Sequence, residues 1–315
     1  MRIAFLNLCH CEPDIVARVA KKLTADPDFD MYVHVDAKTD ITPFSQRLNP
    51  FPQVYFTPER FAVYWGGYHA IEATYELLNA ALASDRKYDY FVIMQNLDYP
   101  IKSNTQIKEF FIRNRGKEFI RACDIAHVKD WHYAKKYRLF YKKDSDFYLQ
   151  NHSRLKKILH NCLLGICSIR TIWFNGVIKE KDRRYDIFYG CAQWAVTREL
   201  AEYFVEFKKN HSDFNKRMKM IQFPDEEYFH TIVHNSEFKY HCVKYNEPVK
   251  RWLVNWRNLH YFEFPFKVTV LEEKDYEKLV PLEELFCRKV RGGISDGLMD
   301  RLDQLAAEGI GEKHE

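Results

Sequence analysis

The sequence predicts an α/β protein built on a mostly parallel central sheet with helices on both faces. Three observations carry this. In the amino-terminal half, short apolar runs alternate with stretches whose apolar residues recur at helical spacing. Those runs are largely apolar throughout, as strands covered on both faces are. Finally, 315 residues with a 46% hydrophobic share and 50 aromatic side chains, against 11 Gly and 11 Pro, can bury a large core. The same composition excludes collagen-like, low-complexity and disordered chains. A net charge of only +4 excludes a uniformly basic nucleic-acid-binding surface.

The elements follow in order. Ile3 to Leu8 is a first strand, and Glu12 to Leu23 a helix with Ile15, Val16, Val19 and Leu23 on one face. Met31 to Asp36 is a second strand ending on a carboxylate, and Val54 to Phe56 a short third. Gly67 to Ala83 reads as a helix and Tyr88 to Met94 as a fourth strand. Asn104 caps a helix through Phe111, just after Pro100. In parallel sheets ligands bind beyond the carboxyl ends of the strands, where Asp36 and Asp98 stand.

The middle of the chain differs in charge. Residues 127–184 hold 14 Lys/Arg and 5 Asp/Glu, a balance of +9, which leaves −5 for the remainder. Within it, residues 153–170 combine Arg154, Lys156 and Lys157 with Leu155, Ile158, Leu159, Leu163, Leu164 and Ile166. Two readings fit: a solvated helix covering the core, or adsorption to an anionic membrane surface. Residues 291–315 read as a polar, partly helical tail.

Several familiar chemistries have no motif here. GxGxxG, GxxxxGK[ST] and GxSxG are all missing, which disfavours dinucleotide dehydrogenases, P-loop NTPases and α/β-hydrolases. Asp26-Pro27-Asp28, Asp28-Phe29-Asp30 and Asp144-Ser145-Asp146 lie in turn-like or basic surroundings and read as turn formers. Asp98 is a lone carboxylate, too little for a divalent cation that wants several hard oxygens. Cys9-His10-Cys11 lacks a second ligand pair for a zinc site, and the eight scattered cysteines read as reduced, mostly core-filling thiols. No stretch has the roughly 20 apolar residues of a membrane span, and the start reads as a strand rather than a signal peptide.

A set of blocks, taken together, resembles a known family. They are Ile3 to Leu8, His34-Val35-Asp36-Ala37-Lys38-Thr39, Trp65-Gly66-Gly67, and Tyr88 through Asp98-Tyr99-Pro100-Ile101-Lys102-Ser103-Asn104. Later come Gly190-Cys191-Ala192-Gln193-Trp194, Pro224-Asp225-Glu226, Arg251-Trp252-Leu253-Val254-Asn255-Trp256 and Leu285-Phe286-Cys287-Arg288-Lys289. Their order and spacing over about residues 3–290 resemble the core-2/I-branching β-1,6-N-acetylglucosaminyltransferase and peptide xylosyltransferase family, in a bacterial-type version without the Golgi anchor. The likeness implies a GT-A-like fold in one catalytic domain over residues 1–290. Residues 1–122 would be its nucleotide-binding half, 123–187 a basic variable segment, and 188–290 the acceptor and catalytic half, with 291–315 as the tail.

The resemblance further implies an inverting glycosyltransferase that uses a UDP-sugar co-substrate, with no cofactor and no metal-binding DxD motif. Glu226 would be the general base, since a sugar hydroxyl is a poor nucleophile until a positioned carboxylate takes its proton. Glu227, one residue on, is the neighbouring alternative. Arg251, expected just before a strand at Trp252 to Val254, and Lys289 would neutralise the leaving diphosphate, with Arg288 as fallback for Lys289. Asp36, with Trp65 and Tyr64 near it, would meet the donor nucleoside. Asp98, Gln193 and Trp194 would border the sugar and acceptor. GlcNAc is the first expectation for the transferred sugar; xylose, galactose or glucose are alternatives, as is a non-catalytic carbohydrate- or membrane-binding protein on the same fold. The expected partners are a nucleotide-sugar donor and a glycan or lipid-linked glycan acceptor, with membrane contact through 153–170 and no nucleic acid. The expected location is the cytoplasm, peripheral on the inner membrane face, in surface-polysaccharide or glycolipid assembly.

Overall fold

The computed structural model describes residues 1–139, 144–145, 147, 153–169, 171–245, 247–264 and 267–311. Asp146, Arg170 and residues 312–315 of the tail lie outside the described residues. The chain runs β1 (Ile3–Cys9), α1 (Pro13–Leu23), β2 (Phe29–Val35), α2 (Thr42–Leu48), β3 (Val54–Phe56), α3 (His69–Leu82), β4 (Tyr90–Gln95), β5 (Asp98–Pro100) and α4 (Asn104–Arg113). Then come β6 (Ala122–Asp124), α5 (Trp131–Arg138), α6 (Arg154–Ile169), β7 (Val177–Glu180), β8 (Arg183–Asp186), β9 (Phe188–Gly190), β10 (Ala195–Thr197), α7 (Arg198–Asn210) and α8 (Ser212–Met218). The last are α9 (Tyr228–His234), β11 (His260–Tyr261), α10 (Tyr276–Leu279), β12 (Phe286–Arg288) and α11 (Asp296–Gly311).

Successive side chains of a strand point to opposite faces, and here both faces are apolar. In β1, Ile3 and Phe5 enter one core with Ile15, Val16 and Val19 of α1, while Ala4 and Leu6 enter a second with Ile71, Leu77 and Leu78 of α3. β4 divides likewise, Val92 and Met94 to the first core, Phe91 and Ile93 to the second. The main sheet has the order β10-β4-β1-β2-β3, with the last four strands parallel and β10 antiparallel at the β4 edge. A second sheet, β11-β12-β5, packs at the end of the first. This is the predicted α/β architecture, of GT-A-like form.

Local readings needed correction in four places. The cap of α4 is Ser103, whose hydroxyl accepts from the Gln106 N–H while the Gln106 side chain accepts from the Ser103 N–H, a reciprocal box one residue earlier than expected. Leu253–Trp256 is a 3₁₀ turn instead of a strand, with Trp256 buried beneath it. The tail is docked: Leu298, Met299 and Leu302 of α11 are buried, and Asp303 takes Arg18, Lys22 and the Tyr99 hydroxyl. Finally, α6 does not cover the core, for none of its described residues is buried.

Candidate active site

Beyond the carboxyl ends of β4, β1 and β2 the segments 95–98, 9–12 and 36–39 form one rim. The Asp36 carboxylate is held by Lys38, whose Nζ donates to both oxygens (2.8 and 2.5 Å) and whose backbone N–H adds a third bond. The same ammonium donates to the Val63 carbonyl and lies 4.6 Å over the Tyr64 ring. Asp36 therefore fixes the 61–65 loop as well as facing the rim. His10 sits there too. Burial holds its imidazole below the ordinary value, and the charges of Lys38, Lys289 and Arg291 oppose the pull of Asp36. Lys289 is itself held below the ordinary lysine value, by burial and then by Arg288 and Arg291. Cations from two segments, Lys38 and the Arg288–Arg291 stretch, thus meet at one rim, a field that favours an anion between them.

Asp98 is buried beneath this rim on β5, in register with Arg288 of β12. Its oxygens lie 3.4 Å from Arg288 and 3.3 Å from His260, and accept from the Gln95 N–H at 2.7 Å. Burial would raise its pKa, but Arg288 and His260 outweigh that and hold it below the usual carboxylate range. Arg288 also donates to the Gln95 side chain at 2.7 Å. The expected sugar-facing carboxylate is sealed into an ion cluster that joins the two sheets and sets the backbone that carries Lys289.

The third part is a pair of loops in contact. Gly66 has φ 75°, open to glycine without strain, and a Cβ on Gly67 would displace the Asp144 carboxylate, which it would meet at 2.2 Å. That carboxylate accepts from the N–H groups of Tyr68 and His69 and so caps α3 from a distance. The glycines let Trp65 stand out from the surface, 76% exposed, with its ring edge-to-face on Phe223 at 4.5 Å. The Phe223 N–H donates to the Gly66 carbonyl. Pro224-Asp225-Glu226 follows as a 3₁₀ turn leading into α9.

The Glu226 carboxylate lies 3.4 Å from Lys136 Nζ, whose ammonium sits 4.3 Å over the Tyr189 ring and 5.3 Å from the Phe223 ring. Burial raises the Glu226 pKa, while Lys136 and the Tyr189 hydroxyl pull it down. Asp225 is pushed up to about 7, by burial and then by the charge of Glu226. Glu227 is fully buried, with neither carboxylate oxygen hydrogen-bonded, and burial drives it far above the usual range. Asp225 and Glu226 are both partly open and Glu227 is shut in; of the two open acids it is Glu226 that pairs with a cation.

The remaining candidates fall into two groups. Gln193 is buried near the centre, its side-chain oxygen accepting from the Cys191 thiol at 3.0 Å. Cys191 feels the charges of Arg288, Glu226 and Asp98, which places it within electrostatic reach of both the base loop and the ion cluster. Gly190 before it must be glycine, as a Cβ would meet the Arg121 carbonyl at 2.3 Å and His230 at 2.4 Å. Trp194, 2% exposed, packs on Phe204 and Phe229 in the core and offers no ring face to a sugar. Arg251 is 67% exposed and 3.3 Å from Asp130, the N-cap of α5. The charges that most affect Lys289 do not include it; it stands instead at the start of the helix that carries Lys136.

Lys136 and Tyr189 are the site residues that sequence reasoning missed. A signal existed for Lys136: it lies three residues after Tyr133 and one before Tyr137, both buried, on a helix announced by Asp130. A lysine on a buried helix face needs a partner. As for metals, Asp124, His127 and Asp186 lie within 4.8 Å of one another, but both Asp124 oxygens are already used by its own turn.

The family model described as Core-2/I-branching enzyme matches residues 3–280. "Xylosyltransferase oxt" of Drosophila melanogaster is 21% identical over 307 residues, 92% of this chain and 31% of the relative. "Xylosyltransferase 1" and "Xylosyltransferase 2" of Homo sapiens are 24% and 25% identical, each over 80% of this chain and 24% and 27% of their own lengths. The chain thus spans about a quarter to a third of the curated relatives it matches.

Proposed function

The chain belongs to the Core-2/I-branching enzyme family, a family of glycosyltransferases, and from that premise we propose that it is an inverting transferase moving a sugar from a UDP donor to a hydroxyl of a glycan or glycolipid. Glu226 is the base. It takes the proton of the acceptor hydroxyl, whose oxygen attacks the anomeric carbon while the bond to the diphosphate breaks on the opposite face. The observation that carries this is the contrast within one turn: Glu226 is partly open and paired with Lys136, whereas Glu227 is sealed. Asp36 and Trp65 border the nucleoside. Lys289, supported by Arg288 and Arg291, receives the diphosphate, with no metal required; Arg251 joins it when the donor is bound. Asp98 and Gln193 act from beneath the sugar site.

GlcNAc is the first candidate for the transferred sugar. Xylose is a second, favoured by the names of the relatives; galactose and glucose remain in the panel. The test is Glu226→Gln assayed with a set of UDP-sugars. Turnover should fall roughly 10²–10⁴-fold with donor affinity retained. Normal turnover by the variant would remove the base assignment, and no turnover or binding of any donor by the parent chain would favour a non-catalytic binder.

A further inference from the structure

We infer that α6 is a membrane-docking element that lays its apolar face into an anionic lipid surface. At 100° per residue, Leu155, Ile158, Leu159, Cys162, Leu163, Ile166 and Ile169 fall within one arc of about 140°. The six aliphatic side chains of that arc are 51–76% exposed, a continuous apolar stripe turned to solvent. The opposite side of the helix meets the protein: His160 stacks on Phe147 at 4.0 Å, and Leu164 and Ser168, joined by Ile169 at the helix end, line a cleft of about 490 Å³ shared with Leu139, Ile172 and Gln222. The helix is therefore held by its back with its apolar front outward, the reverse of a helix that covers a core.

Charge complementarity identifies the occupant. Arg154 and Lys156 fall just beyond the two edges of the apolar arc, and no Asp or Glu occurs between residues 147 and 179. A second copy of this helix would set those cations against one another, whereas an anionic bilayer neutralises them and accepts the apolar face. Among the described residues no helix is long and apolar enough to cross a membrane, so the contact is interfacial. Gln222 in the cleft is four residues before Glu226, and its N–H donates to the Lys136 carbonyl. The back of α6 and the base loop thus border one cleft, while the docking face points away from it. If the transferase reading holds, acceptors carried in the membrane are the class this placement serves; docking itself does not depend on that reading.

The test uses the whole chain with vesicles of phosphatidylcholine, with and without phosphatidylglycerol, and no donor. Co-sedimentation with the anionic vesicles is expected at low salt, weakening as salt rises. Arg154→Gln with Lys156→Gln should cost about fivefold per cation. Leu159→Glu with Ile166→Glu should reduce binding at least about tenfold; both positions are exposed, so the fold is kept, as circular dichroism would check. An environment-sensitive dye on Cys162, inside the arc, should shift to the blue on anionic vesicles, while the same dye on Cys167, about 40° beyond the edge of the arc, should shift less. The proposal is overturned by no binding to anionic vesicles at low salt, by binding that ignores the Glu substitutions, or by equal dye shifts. A dimer lost on the same substitutions, without vesicle binding, would assign the face to a second copy instead.

Discussion

A carboxylate serves as a base only while it is ionised, and around Glu226 two influences compete over that. Burial favours the neutral acid; Lys136 and the Tyr189 hydroxyl favour the ion. The balance lies above the ordinary glutamate value, so the acid limb of kcat/KM should be displaced upward from pH 4.5. Lys136→Met deletes the largest influence holding that pKa down. The acid limb should then move to higher pH, whereas Lys136→Arg should leave it near its original position. A pH profile of the three forms measures this; an unmoved limb in Lys136→Met would mean that another group is the base. The proposed base was legible as part of an ordered block, but its cation was not, because 90 residues separate them and only the packing of α5 on the 222–226 loop joins them.

Among the elements, the parallel core was readable because both faces of β1, β2 and β4 are buried and their periods are plain. The β5–β12 pairing was not: each strand has three residues, and nearly 190 positions lie between Asp98 and Arg288. That distance is also why Asp98 read as a cleft residue when its partners lie elsewhere in the chain. Asp98→Asn leaves Arg288 buried beside a neutral group, a loss of about 3–5 kcal/mol expected in chemical denaturation. A residue that only touched substrate would raise KM and leave the midpoint in place. A second joint is Glu118, buried where β10 meets α7, which accepts from the Thr197 N–H and hydroxyl at 2.9 and 2.6 Å. Burial raises its pKa to about 7. Since the folded value lies above the unfolded one, folding takes up a proton between pH 4.5 and 7, and stability falls as pH rises through that window. Glu118→Gln should flatten this part of the stability profile by up to about 3 kcal/mol, read from urea midpoints at pH 5 and 7.5. An unchanged slope would assign the pH dependence to other acids.

At the scale of the whole molecule, the near-zero net charge conceals a division of labour. The +9 segment supplies Lys136 to the base, and it also carries α6, outside the cores. The rim cations Lys38, Lys289 and Arg291 lie outside that segment, in a remainder that is net −5. A local cluster of cations on a chain of small net charge draws an anionic donor to one place, which a uniformly basic surface would not. The rim also ties both sheets together, through β1, β2 and the segment after β12, so a ligand seated there should resist unfolding of the whole chain. One matched UDP-sugar should therefore stabilise it by about 2.7 kcal/mol at a hundred times its Kd. The full shift in melting temperature should persist after treatment with a chelator, and Lys289→Ala should abolish most of it. A shift that vanished with chelator and returned with Mn²⁺ would transfer the work of these cations to a metal ion and end the metal-independent reading.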